Sequence, residues 1–288
     1  MNGVLIIDKP AGWTSMDVCA KLRGVFHEKR VGHGGTLDPM ATGVLPVFLG
    51  RATRAVEYAT DSDKEYIAGI KLGVVTNTQD TTGEVLEEHP VTVSRADLET
   101  ILPQFAGELD QIPPMFSAIK KDGKKLYELA RKGVEVERKP RHIVIKELDI
   151  VGQTDETTYE LRVLCSKGTY VRTLCHDIGT ALGCGAAMCS LRRSMAAGYT
   201  LADTVTLEQV LAAEDPTQFV HPVDSCFAQH PAVTIDGKNL FKAKNGNPFP
   251  WEGEDGAYRV YDPEGSFLLL GLCNNGMMST TKSFFEVT

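Results

Sequence analysis

Apolar and polar positions change period several times along the chain, and each change marks an element. Gly3 to Asp8 carries an unbroken apolar run that ends in a charge, the pattern of a buried strand. Ser15 is placed as the N-cap of a helix from Met16 to about Val25, with Asp17 near its positive end. After a glycine-rich loop, Val44 to Leu49 is a second continuous apolar run and hence a second buried strand. Tyr66, Ala68, Ile70 and Leu72 alternate with Ile67, Gly69 and Lys71, which predicts a strand. Ser94 caps a helix over Arg95 to Phe105, Tyr159 to Cys165 alternates as a strand, and Thr169 opens a helix that stops at Gly183. Thr206 and Gln209 form a capping box for Leu207 to Ala213.

Two stretches break this regularity. Residues 111–146 hold Ile112-Pro113-Pro114, a basic run, a short helix near Leu126 to Lys132, and Arg138-Lys139-Pro140, so they read as an inserted thumb. His221 to Pro231 has two prolines and no periodicity. It divides a main domain, 1–228, from a small β domain, 229–288. There Ala257 to Tyr261 and Ser266 to Leu272 flank the turn Asp262-Pro263-Glu264-Gly265.

At 288 residues and 42% hydrophobic content, the chain supports a large packed core plus a small one. The run Val4-Leu5-Ile6-Ile7 is cut off by Asp8 and Lys9, and no apolar stretch approaches the roughly 18 residues of a membrane span. The expectation is a soluble cytoplasmic protein with no membrane attachment. Seven cysteines without a Cys-x-x-Cys pair read as reduced thiols, with Cys165, Cys175 and Cys189 assigned to packing. There is no P-loop, no Gly-x-Gly-x-x-Gly ahead of a helix and no His-x-x-x-His spacing, so neither cofactor nor metal is expected.

A net charge of −8 taken alone argues against a nucleic-acid partner. Its distribution reverses that conclusion. From Ser117 to Lys146 there are ten basic residues against four acidic ones, a local +6 that leaves −14 on the rest of the chain. Such asymmetry suits a polyanion-binding patch centred on Lys120, Lys121, Lys124 and Lys125, with a solvated charged helix as the alternative.

The candidate chemistry lies in Gly32-His33-Gly34-Gly35-Thr36-Leu37-Asp38-Pro39-Met40-Ala41-Thr42-Gly43-Val44-Leu45. Gly34 and Gly35 can take backbone angles closed to other residues, and Pro39 pushes Asp38 toward an extended conformation, so the carboxylate is aimed. Burial drives a carboxylate toward protonation, and a nearby cation reverses this by about 1 to 3 pKa units. Arg172, in the first turn of the helix after Lys167-Gly168, is the candidate cation. Tyr66 offers a ring for stacking and a hydroxyl, although a strand tyrosine is ordinarily core.

These motifs, with Lys9-Pro10-Ala11-Gly12-Trp13-Thr14-Ser15, Lys64-Glu65-Tyr66, Thr76-Asn77-Thr78-Gln79-Asp80, Gly168-Thr169-Tyr170-Val171-Arg172-Thr173-Leu174 and Leu191-Arg192-Arg193, resemble those of the TruB family, the bacterial tRNA pseudouridine-55 synthases. The resemblance spans about residues 1–210 and implies an α/β (α+β) fold. In that fold a mixed, mostly antiparallel sheet is flanked by helices, with an inserted basic thumb and a small C-terminal PUA-like β-barrel. The tail departs from a full PUA module in being short and acidic around Glu252 to Asp255. The implied activity is isomerisation of the T-loop uridine through Asp38 as nucleophile, paired with Arg172, with Tyr66 against the base and no cofactor. Tyr170 and Leu191 match positions lining the uracil pocket, and His33 matches a histidine that stacks in the opened loop. Lys9 and Pro10 read as support beneath the loop, and Asp80 as a partner for basic groups of the thumb. The expected partner is the T-arm of tRNA, bound by a monomer without an obligate protein partner. A tRNA-folding chaperone that needs no carboxylate is the competing reading. Glycoside hydrolysis wants a carboxylate pair, for which Asp38 has no sequence-level partner.

Overall fold

Consecutive buried residues in a strand need apolar surroundings on both faces, and the first strand shows where these come from. The structure, a computed structural model, describes residues 1–285. In strand Gly3–Lys9, Leu5 and Ile7 face one core while Val4 and Ile6 face another. The first core is roofed by helices Ser15–Val25 and Val171–Ala181; the second is closed by Val223, Phe227, Leu270 and Phe284. Leu270 and Phe284 come from the C-terminal sheet region, so that sheet covers the second face.

The main sheet runs in the order Val205–Thr206, Gly3–Lys9, Thr42–Leu49, Ala186–Ala196, Lys64–Leu72, Thr158–Cys165, Arg141–Asp155, Gly107–Gln111. All neighbours along it are antiparallel except two: Gly3–Lys9 with Val205–Thr206, and Thr42–Leu49 with Ala186–Ala196. This is the expected mixed, mostly antiparallel sheet. A second sheet joins Ala232–Thr234, Gly256–Tyr261, Phe267–Asn274, Met277–Ser283 and Phe249–Pro250 around Ile235, Phe249, Val260, Leu269 and Met278.

Three local expectations are corrected. Thr14, not Ser15, caps the first helix: its side chain accepts from the Asp17 amide at 3.1 Å, and the Asp17 carboxylate accepts from the Thr14 amide at 2.9 Å. Both residues suit a cap. Ser15 is thereby free to accept from the Leu37 amide at 2.9 Å and donate to the Leu37 carbonyl, gripping the residue before Asp38. Thr169 does not open the later helix either; its hydroxyl donates to the Ser166 carbonyl at 3.0 Å, and helical geometry begins at Val171. Arg141 to Lys146 belong to strand Arg141–Asp155 rather than to the thumb, because Ile143 and Ile145 alternate into the core between more polar neighbours.

Gly43 marks the tightest point of the sheet. Its φ is +102°, and a Cβ there would lie 2.2 Å from the Arg193 carbonyl oxygen, across the parallel contact of the two strands. Gly43→Ala is therefore expected to destabilise the protein by roughly 2 kcal/mol or more, since backbone strain and a backbone overlap add. Gly24→Ala, on an exposed helix position with nothing within 4 Å, is expected to stabilise by about 0.5 kcal/mol. Thermal unfolding of both variants checks the contrast, and shifts of equal sign would contradict it.

Candidate active site

The loop before strand Thr42–Leu49 is held at the carbonyls of Gly35, Leu37, Asp38 and Pro39. The buried Lys9 ammonium donates to the Pro10 carbonyl at 2.8 Å and the Pro39 carbonyl at 3.3 Å, and the Gly12 amide also donates to Pro39 at 2.8 Å. Arg193 donates to the Gly35 carbonyl at 3.1 Å and the Val44 carbonyl at 2.7 Å. Gly35 has φ +119°, as a glycine position should; Gly34 is glycine for space, since a Cβ would sit 2.5 Å from the Ala59 Cβ. With Ser15 gripping Leu37, Asp38 has little freedom left.

Arg172 meets Asp38 with both ends of its fork: Nε to Oδ2 at 2.9 Å and Nη2 to Oδ1 at 3.4 Å. Its remaining donors reach the Thr78 carbonyl at 3.0 Å and the Phe116 carbonyl at 2.9 Å. The Asp80 carboxylate lies 3.6 Å from Nη1. Asp80 thus serves Arg172 and not the thumb, because its own turn fixes it: Oδ1 accepts from the Thr78 hydroxyl at 2.9 Å and the Thr82 amide at 3.0 Å.

Burial raises the Asp38 carboxyl above its ordinary pKa, Arg172 opposes that rise, Asp80 adds to it and Lys9 opposes it. The expectation that a cation would reverse the shift is thus corrected in sign. The Asp38 side chain keeps 34% of its surface open, yet the protein packed around it still removes most of its hydration. Arg172 compensates incompletely, because its charge is divided between two carboxylates and two carbonyls.

Tyr66 and Leu191 are buried on adjoining strands, Tyr66 opposite Arg193 and Leu191 opposite Ala68, and both line the first core beside the loop. Burial raises the Tyr66 phenol, while Arg193 draws it back by charge and hydrogen bonding. Tyr170 precedes the helix that carries Arg172, its backbone clamped by the Gln111 amide at 2.8 and 3.1 Å. Its phenol is raised by burial, with the Ser117 hydroxyl opposing. His33 sits in the short strand Val31–His33, half-buried, with Nδ1 unpartnered in the described residues. Burial, then the Arg193 charge, lowers its pKa and keeps the ring neutral.

The four thumb lysines form a hairpin turned by Asp122 and Gly123, at φ +51° and +80°. Lys120 stands opposite Lys125 and Lys121 opposite Lys124. Like charges directly across a hairpin repel, and an anion laid over them relieves that repulsion. A cavity of about 270 Å³, lined by Ile119, Lys120, Lys121, Leu126, Arg138 and Lys139 among others, opens beside it.

Two buried cations escaped the sequence reading. Lys64 caps the end of helix Val56–Asp61 by donating to the carbonyls of Ala59, Thr60 and Ser62, and Arg193 lies beneath the loop. Both belong to recognised motifs, but their direction depends on strand pairings made far along the chain. Among the described residues, no group of three or more His, Cys, Asp or Glu is arranged to hold a metal ion. No helix among them is long and apolar enough to cross a membrane.

Comparison with known proteins identifies the family of the chain. A profile of the TruB family pseudouridylate synthase N-terminal domain matches residues 23–171, and one of the tRNA pseudouridylate synthase B C-terminal domain matches residues 172–228. The chain is 45% identical over 279 residues to the tRNA pseudouridine synthase B of Pseudomonas fluorescens, covering 94% of this chain and 91% of that one. Identity to the enzyme of that name from Clostridium kluyveri is 40% over 291 residues, covering 99% and 100%. Among solved structures, a crystal structure of a Cbf5–Nop10–Gar1 complex contains a chain that matches with a TM-score of 0.73 at 25% identity, over 98% of this chain and 85% of that chain. The chain belongs to the TruB family of pseudouridylate synthases.

Proposed function

We propose that the protein converts the T-loop uridine of tRNA, position 55 of the tRNA, to pseudouridine, with Asp38 as the nucleophile and without a cofactor. The reaction breaks the bond from ribose C1′ to N1 of the base and makes one from C1′ to C5. N1 gains a proton as C5 loses one, so there is no net redox change. It calls for an immobile ionised carboxylate and a dry slot for the base. The observation that carries this reading is the 2.9 Å Asp38–Arg172 pair, held close enough to the buried Tyr66 for its phenol to feel the Asp38 charge. The relatives named for tRNA pseudouridine synthesis support the substrate class.

In this reading Tyr66, Leu191 and Tyr170 receive the extruded uracil, and His33, neutral and flat, fills the vacated stack. Lys120, Lys121, Lys124 and Lys125 meet the phosphates of the T-arm. The protein acts as a cytoplasmic monomer. Because the thumb lysines are distinct from the carboxylate, tRNA binding and folding assistance are separable from chemistry.

Asp38→Asn and Asp38→Ala are expected to bind tRNA with near-native affinity but to lose at least about a thousandfold in turnover, since no other side chain supplies the nucleophile. Tritium release from tRNA carrying [5-³H]uridine reads this directly. Residual activity within tenfold of the parent would remove Asp38 from that role and leave the chaperone reading.

The raised pKa of Asp38 sets the sign of the pH dependence. Ionisation is needed, so the single-turnover rate is expected to fall as pH drops through a value above the ordinary carboxylate range. Folding linkage runs the opposite way with pH: the Asp38 contribution to stability is fully present below its unfolded pKa and lost as pH rises through the raised folded one. In Arg172→Met the acid limb is expected to move to higher pH, so its defect shrinks on going alkaline, and Arg172→Lys is expected to recover only part of the rate. An acid limb at an unchanged pH in Arg172→Met would contradict the pairing.

Neutralising Lys120, Lys121, Lys124 and Lys125 together is expected to weaken tRNA binding and to flatten the slope of log affinity against log salt. The change should be somewhat under 1 for each lysine that meets a phosphate. A slope identical to the parent's would show that the hairpin faces only solvent.

A further inference from the structure

Arg193 is 1% exposed and heads the fully buried side chains in volume, yet no carboxylate lies within 4 Å of it among the described residues. A buried cation without a counter-ion is costly, and a methionine would fill much of the same space without that cost. The charge therefore answers a need other than packing.

Its surroundings narrow that need. Nε is used on the Val44 carbonyl and Nη2 on the Gly35 carbonyl, which fixes the guanidinium plane beneath the loop. Asp38 lies in that same loop, three residues beyond Gly35. The titratable groups that sense Arg193 are Lys9, His33, Lys64 and Tyr66. Lys9 and Lys64 are buried and lowered to about 8, chiefly by desolvation, with the Arg193 charge contributing to that fall. For His33 also the arginine only disfavours charge. Tyr66 alone gains, being the one group of the four that can carry negative charge. Tyr66 is also directly opposite Arg193 in the antiparallel pairing, so both side chains rise from the same face of the sheet.

We infer that Arg193 is a positioning residue for Tyr66: anchored on the Val44 and Gly35 carbonyls, it presents its free edge to the phenol oxygen and so aims the phenol proton at the base slot. The inference rests on the proposed isomerisation. When the C1′–N1 bond breaks, its electron pair stays with the base and spreads over the uracil oxygens. With the edge of the guanidinium turned to its oxygen in this way, the phenol becomes a stronger donor to those oxygens. The phenol proton stays on Tyr66 throughout; the charge on the base is consumed when C5 bonds to C1′, and the proton that then leaves C5 is matched by the one N1 gains. The arginine fork is required because two carbonyls and one phenol must be served from a single plane, which an ammonium cannot do.

The test uses the full-length protein labelled with 3-fluorotyrosine, the Tyr66 signal being assigned through Tyr66→Phe. In Arg193→Met the ¹⁹F titration of Tyr66 is expected to move upward by about one pH unit or more. The single-turnover rate is expected to fall about 10- to 100-fold with little change in tRNA affinity. Arg193→Lys should fall between the two. In a Tyr66→Phe background, Arg193→Met is expected to cost less than about twofold more, because the route it acts through is gone. An unmoved Tyr66 titration, or losses that multiply in the double variant, would overturn the inference and leave Arg193 as loop support. Should Arg193→Met fail to fold, Arg193→Lys is judged by the same two criteria. The titration needs no RNA, so it stays readable even if the protein were found to isomerise no uridine.

Discussion

The ion pair between Asp38 and Arg172 joins residues 134 apart in sequence and is the contact around which the site is assembled. To make it, the loop after strand Val31–His33 and the helix Val171–Ala181 must meet over the same end of the sheet. The turn Thr78–Asp80 and the entry to the thumb at Phe116 must also arrive there, since Arg172 spends its other donors on them. One guanidinium therefore registers the position of four segments.

Electrostatically the pair is incomplete, and the proposed reaction would use that incompleteness. Were Arg172 to neutralise Asp38 fully, the carboxylate would be a poor nucleophile, its electrons committed to the cation. Instead Asp80 claims part of the arginine, and burial keeps the Asp38 proton affinity high. Lys9, Lys64 and Arg193 add buried cationic groups around the loop, each held directly by backbone carbonyls. The site thus has room for one more negative group, which fits a reaction that detaches a base as an anion.

Much of the local chemistry was legible in the sequence, although the starts of the helices at Thr14 and Val171 were misplaced by a residue or two. The apolar runs at Val4–Ile7 and Val44–Leu49, the alternation from Tyr66 to Leu72 and the Thr206–Gln209 capping box all appear in the fold, because each is set by neighbours within a few residues. Asp38 and Arg172 were named from motifs, and the structure brings them together. The role of Asp80 was misjudged because its partner is chosen by the turn geometry of Thr78 and Thr82. The sign of the Asp38 shift was misjudged because burial depends on everything packed around the loop. Arg193 was visible as a residue but not as a charge beneath Tyr66, since that meaning exists only once two strands have paired.

The balance at Asp38 is open to direct observation. Selective ¹³C labelling of aspartate, with the Asp38 carboxyl assigned through Asp38→Asn, gives its titration in the free protein without any RNA. The expected result is a midpoint above the ordinary carboxylate range in the parent, higher again in Arg172→Met and lower in Asp80→Asn. A midpoint at or below the ordinary value, unmoved by either substitution, would contradict the claim that burial and a shared arginine together set the charge on Asp38.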